Sequence, residues 1–220
     1  MSTVRGEPQT IVSFLDHPEI DALLEAPDRA RWIGHRDHTL LMVAIQTGLR
    51  VSELTSLRCQ DVQLGAGAHV RCLGKGRKQR CTPLTTQTAA ALGVWMQERN
   101  GQLNDPLFPT SRGRLLTRDA VALLLAKYAT VAELHCPTLR NKIVSPHTLR
   151  HSCAMNLLHS GVDPVVIALW LGHETLRSVE SYVHADITLK ERALARTAPI
   201  GTTPGRHHPP DALLGFLESL

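Results

Sequence analysis

His147 and Arg150 stand three residues apart, directly after Ser145-Pro146. Serine is a good helix N-cap and proline suits the first helical position. Both side chains therefore share one face near a helix start, and Ala154 and Leu157 continue that stripe. An arginine on a stripe leading into a core needs an anionic partner, and the helix N-terminus adds positive potential of its own. The chemistry implied is anion binding. The alternative is an internal ion pair with an Asp or Glu elsewhere. His147 and His151 also have the i, i+4 spacing of a helical zinc pair, but H-E-x-x-H is absent and Arg150 beside them would repel a cation.

Other candidates are spread along the chain. Arg50 follows Gly48-Leu49 with Glu53 three residues on, within reach of its guanidinium. Such a pair on a surface is worth little, yet here Leu49, Val51 and Leu54 surround it, which favours a held, directed side chain. Gly74-Lys75-Gly76-Arg77-Lys78-Gln79-Arg80 reads as a tight turn carrying four cations, Lys75, Arg77, Lys78 and Arg80. A hairpin tip of this kind is either solvated or shaped to enter a DNA groove. His173 follows Gly172, the expected end of a helix. The chain has two tyrosines: Tyr128 lies in the apolar run Val121–Val131 and reads as a core residue, while Tyr182 falls on a later short helix.

The elements that position these residues are legible from periodicity and punctuation. Asp16 caps and Pro18 opens a helix to about Ala26. Helices are expected over Arg36–Thr47, ended by Gly48, and over Val51–Leu57. The period then changes. Val62–Leu64, His69–Leu73 and Gln79–Leu84 read as three short strands, separated by glycine-rich turns. Helices resume at Thr86–Arg99 and Thr117–Leu134, with a loop from Asn100 to Arg114. Ser145–Ser160, Asp163–Gly172, Thr175–Val183 and Ile187–Arg196 follow. The fold class is α+β, mainly helical, with a small three-stranded antiparallel sheet. Residues 1–11 are a lead-in and 12–197 form one domain. Residues 198–220 are a Gly/Pro-rich linker and a C-terminal helix, whose Leu213, Leu214, Phe216, Leu217 and Leu220 suit docking on a neighbouring protomer.

The bulk properties set limits. At 220 residues, with 43% hydrophobic residues, the chain can bury a real core. A net charge of +4 permits a nucleic-acid partner without requiring one. Five cysteines with no C-x-x-C pair argue against a disulfide framework or zinc ribbon and for buried free thiols. No signal segment opens the chain and no stretch approaches a membrane span, so a cytoplasmic protein with no membrane partner is expected.

Taken together, the stretches TGLRVSEL, GKGRKQR, LFP, SPHTLRHS, LGH and SYVH, in this order, closely resemble the tyrosine recombinase family, which includes phage integrases. The resemblance spans roughly residues 12–197. It implies the catalytic domain of a site-specific DNA recombinase. By that resemblance Arg50 and Arg150 match the phosphate-clamping arginines, Lys75 the hairpin lysine, and His147 and His173 the assisting positions. Tyr182 matches the nucleophile and Glu53 the acidic position beside the first arginine. Lys75, Arg77, Lys78 and Arg80 would contact DNA. Val183 departs from the pattern, standing where a small polar residue is common.

This chemistry suits these residue types. Two guanidiniums can neutralise a doubly charged pentacovalent phosphorane by forked hydrogen bonds. A tyrosine, with a pKa of roughly 10, needs a base or a positive site, which His147 and the arginines supply. A lysine on a hairpin can protonate the leaving 5′ oxygen. No metal or other cofactor is called for. The expected partners are double-stranded DNA and further copies of the chain, as a tetramer on DNA. The type IB topoisomerases share this chemistry, but the compact GKG hairpin and the LGH box favour recombinases. The family also implies a helical DNA-binding domain ahead of the catalytic one, and Met1–Thr10 is too short to fold as such. That sets a second reading, a truncated, non-recombining DNA-binding remnant. Weak DNA binding and incomplete recombination are expected of this chain unless a partner protein supplies the N-terminal clamp.

Overall fold

The computed structural model describes residues 13–74 and 79–172. Seven α-helices and one sheet lie among them: α1 (His17–Glu25), α2 (Trp32–Thr47), α3 (Val51–Ser56), β1 (Val62–Gln63), β2 (His69–Leu73), β3 (Gln79–Pro83), α4 (Thr86–Arg99), α5 (Arg118–Ala132), α6 (Pro146–His159) and α7 (Pro164–Leu171). The sheet is antiparallel in the order β1-β2-β3. The mainly helical α+β class read from the sequence is the class observed. The expected helices beyond Gly172, the linker and the C-terminal helix lie outside the described residues.

Local chemistry explains the boundaries. Asp16 accepts from the Glu19 backbone N–H while Glu19 accepts from the Asp16 N–H, a reciprocal cap around Pro18. Ser145 caps α6 through the Thr148 N–H, and Asp163 caps α7 through the Val165 N–H. Gly48 and Gly172 end α2 and α7 with φ of 61° and 64°, a conformation open to glycine at little cost. The register pairs Val70 with Thr82 and Cys72 with Arg80. Directly opposed residues share a sheet face, so this face of β2 and β3 turns inward.

Three features depart from expectation. α2 starts at Trp32 rather than Arg36. Its first turn contains Gly34, where a Cβ would overlap the Asp28 carbonyl, so the glycine is a packing requirement and not a break. A 3₁₀ helix at Pro137–Asn141 occupies a stretch with no periodic signal. Cys59, Cys72 and Cys153 are buried free thiols as expected, but Cys81 is exposed and Cys136 half-buried.

One core joins these elements, from Leu15, Leu23, Leu40, Leu41 and Trp95 to Leu125, Leu139 and Leu149. The segment ahead of α6 is fixed by charge as well as by packing. The buried Glu19 carboxylate accepts from Lys142 Nζ at 2.6 Å and from Thr138 Oγ1 at 2.8 Å. Lys142 also donates to the Phe14 carbonyl at 2.9 Å, and the Leu15 N–H donates to Ser152 Oγ on α6 at 2.8 Å. The start of the chain's core is thus tied to the helix that carries His147 and Arg150.

Burial by itself would raise the Glu19 pKa, but the Lys142, Asp16 and Thr138 hydrogen bonds outweigh it and hold the carboxyl below its usual 4.5. The folded state therefore binds this proton more weakly than the unfolded state. The stabilisation is fully present above the unfolded pKa and is lost as pH falls through the folded one. Glu19→Gln should weaken the fall in urea stability between pH 6 and pH 3, and Lys142→Met should cost about 1–3 kcal/mol at pH 7. An unchanged acid limb in Glu19→Gln would contradict this account.

Candidate active site

α3 begins where α2 ends, and Arg50 lies at that junction. Its backbone N–H donates to Glu53 Oε2 at 2.8 Å and its Nη1 to Glu53 Oε1 at 3.1 Å. Nη2 reaches the Gly172 carbonyl at 3.2 Å. The Glu53 side chain is 4% exposed and that of Arg50 40%. One end of the pair is therefore anchored in the core while the guanidinium still meets solvent.

Arg150 is buried on α6. It donates Nη1 to the Gly48 carbonyl at 2.6 Å and Nη2 to the Leu171 carbonyl at 2.7 Å. Both of these bonds run to backbone oxygens. Carbonyls orient a guanidinium without cancelling its charge. His147 is exposed one turn before Arg150, and its ring packs edge-on against His151 with centroids 4.2 Å apart.

Arg50, His147 and Arg150 line one open cavity of about 580 Å³, together with Val51, Ser52, Ser145, Pro146 and Arg118. The fold brings together candidates 100 residues apart in sequence. Arg118, exposed at the start of α5, joins them without having been singled out by any motif. Lys75, Arg77, Lys78, His173 and Tyr182 lie outside the described residues.

Arg80 differs from its sequence reading. Grouped there with the DNA-contacting cations of the hairpin, it turns inward from β3 with a side chain 12% exposed. Its Nη2 donates to Glu53 Oε2 at 3.0 Å and its Nη1 to the Leu171 carbonyl at 2.8 Å. The cause is the register: its partner Cys72 is buried, as is Thr82 two residues on, and successive strand residues alternate in direction.

Tyr128 is the core residue its sequence context suggested. Its hydroxyl donates to Asp37 Oδ2 at 2.8 Å inside the protein, and burial, followed by that bond and the Asp37 charge, pushes its pKa well above the usual 10. Asp37 also holds Arg36, which reaches the Pro109 carbonyl at 2.8 Å. Tyr128 is thus a structural hydroxyl, far from nucleophilic.

Residues 13–188 match the model of the phage integrase family. The chain belongs to that family. This integrase-family chain is 49% identical over 212 residues to a putative integrase/recombinase, y4rC, of Sinorhizobium fredii, covering 96% of this chain and 64% of the relative. It is 36% identical over 200 residues to the tyrosine recombinase XerD of Pseudomonas aeruginosa, covering 89% of this chain and 61% of the relative. It thus spans somewhat under two thirds of the length of these curated relatives. Among solved structures, XerH recombinase bound to palindromic difH substrate in a post-cleavage complex superposes with a TM-score of 0.72 at 27% identity, over 85% of this chain and 54% of that one. XerA recombinase shares the fold, with a TM-score of 0.73 at 24% identity over 90% of this chain and 68% of that one. No helix among the described residues is long and apolar enough to cross a membrane.

Cys153 follows Arg150 on α6 and is buried. Its Sγ donates to the Gln46 carbonyl at 3.3 Å, and a Cβ on Gly48 would approach that sulfur to 3.0 Å. Burial pushes the Cys153 thiol up to about 12, against a smaller opposing effect of Arg150, and pushes Cys72 up to about 11. Reactivity follows the thiolate. A disulfide reagent at pH 8 should label Cys81 rapidly, and Cys72 and Cys153 only on unfolding, as peptide mapping would read. Rapid native labelling of Cys153 would refute the packing described around Gly48.

Proposed function

We propose that the chain is the catalytic part of a site-specific DNA recombinase that cleaves and rejoins double-stranded DNA through a 3′-phosphotyrosyl intermediate. The observation that carries this reading is the convergence of Arg50, His147 and Arg150 on one solvent-open cavity. Two fixed guanidiniums and an imidazole on one rim form a site for a phosphodiester, because forked donors match its non-bridging oxygens. The family resemblance adds Tyr182, Lys75 and His173, which the same motifs assign.

In the step we envisage, Tyr182 Oη attacks phosphorus. The P–O5′ bond breaks as the tyrosyl P–O bond forms. The tyrosine proton passes to His147, Lys75 gives a proton to the leaving 5′ oxygen, and the arginines carry the charge of the phosphorane. His173 assists at the phosphate. The covalent ester keeps the bond energy, so a 5′ hydroxyl from a partner strand reverses the step and exchanges strands. The reaction as written balances without a metal, nucleotide or redox cofactor. Exchange between two duplexes requires four strand cleavages, which suits four copies of the chain on DNA. Lys75, Arg77 and Lys78 supply phosphate contacts from the hairpin.

The test is a nicked duplex that traps the covalent adduct. Wild type should form it and Tyr182→Phe should not, while Tyr128→Phe retains it. Arg50→Ala and Arg150→Ala should each slow it by at least about 10²–10³-fold, the usual loss for one transition-state donor. EDTA should leave the rate unchanged. An adduct surviving Tyr182→Phe would remove the central claim, and DNA binding with no adduct in wild type would favour a non-catalytic DNA-binding remnant.

Lys75→Ala should slow cleavage of the ordinary substrate but spare one with a 5′-thiolate leaving group, which needs no proton. Equal damage to both would make Lys75 a DNA contact rather than the acid.

A further inference from the structure

We propose that Arg80 is a positioning residue for DNA cleavage, binding the base of the β2–β3 hairpin to both phosphate-clamping arginines and to the end of α7. The inference rests on the cleavage reading above. Glu53 is shared: Oε2 accepts from Arg80 Nη2 at 3.0 Å and from the Arg50 N–H at 2.8 Å, while Oε1 accepts from Arg50 Nη1 at 3.1 Å. The Leu171 carbonyl is shared as well, accepting from Arg80 Nη1 at 2.8 Å and Arg150 Nη2 at 2.7 Å. Arg80 therefore touches one partner of each clamping arginine. Gly172, next in the chain, gives its carbonyl to Arg50 at 3.2 Å and directly precedes His173.

Stability does not explain an arginine here. Its side chain is 12% exposed, and Nε is buried with no hydrogen-bond partner among the described residues. An unsatisfied buried donor is costly, and a buried ion pair replaced whole by well-packed apolar side chains often loses no stability. What an apolar residue could not do is hold Glu53 and the Leu171 carbonyl at once. A lysine, with one nitrogen in place of a planar fork, could span them only in part.

The fit leaves no slack at the α7 end. A Cβ on Gly172 would overlap Arg80 Nη1, and the glycine φ of 64° disfavours any side chain in addition. The guanidinium and the helix end occupy adjoining space, so a shift of the hairpin base is felt at Gly172 and thus at Arg50. Arg80 belongs to the frame of the site and makes no contact with DNA.

The test uses the full chain with Arg80→Met and Arg80→Lys. Single-turnover adduct formation should fall at least tenfold in Arg80→Met at saturating DNA, with Kd and its salt slope within twofold of wild type, and Arg80→Lys should recover part of the rate. The loss should be the same on ordinary and 5′-thiolate substrates, because Arg80 orients the arginine side of the site as well as the hairpin. Hydrogen exchange of the free protein should rise in Arg80→Met in peptides spanning both 69–83 and 168–174. Wild-type cleavage, a loss confined to Kd with a shallower salt slope, or a defect that vanishes on the thiolate substrate would each overturn the proposal, as would faster exchange in the hairpin alone. If Arg80→Met does not fold, Arg80→Lys decides: a smaller loss of rate at unchanged Kd with faster exchange in both peptides supports the proposal, and a wild-type rate or a loss confined to Kd overturns it. Failure of wild type itself to form an adduct defeats the cleavage reading instead, and the exchange measurement still decides whether Arg80 holds the frame.

Discussion

Cations gathered in one place repel each other, and the arrangement found here depends on one buried carboxylate that holds two of them. Bringing like charges within a few ångströms of each other costs free energy that solvent screens only in part. Glu53 offsets that cost for Arg50 and Arg80 together, while also capping the first turn of α3. Its burial is what makes it effective, since a carboxylate in water would be screened and free to turn away. Arg150 is held by the carbonyls of Gly48 and Leu171.

This arrangement depends on chain reversals. Gly48 and Gly172 end their helices in the left-handed region, and both sites are crowded. A Cβ on Gly48 would meet Leu171 Cδ2 at 2.5 Å, so the ends of α2 and α7 abut. Arg150 crosses between them. The core behind, with Leu15 bonded to Ser152 and Lys142 to Glu19, keeps α6 from sliding against α1. The positions of the arginines are therefore set by packing across the whole described domain rather than by the cavity rim.

Much of this was legible in the sequence because it is local. Asp16 with Pro18, Ser145 with Pro146, the two terminal glycines and the Arg50/Glu53 spacing all act within one helical turn, and the observed caps and bonds follow them. The unread parts depend on distant partners. The first turn of α2 has no capping side chain at Arg31 and closes on Asp28 through Gly34. The 3₁₀ helix at Pro137–Asn141 is held by a carboxylate 119 residues from Thr138. Arg80 was hidden by its neighbours: Gly74–Arg80 reads as a single cationic turn, whereas the alternation of Arg80 with Thr82, opposite Cys72 and Val70, places it on the inward face. Arg118 carried no motif, and only the fold brings it to the cavity.

The three carbonyls that receive these arginines belong to helix ends. Gly48, Leu171 and Gly172 stand at the C-termini of α2 and α7, where aligned peptide dipoles leave roughly half a negative charge each. The guanidiniums thus rest on fractional charges fixed in the backbone, which cannot dissociate, be protonated or swing out as a side chain can. The direction in which each guanidinium is held is therefore set by the course of the backbone and does not change with pH.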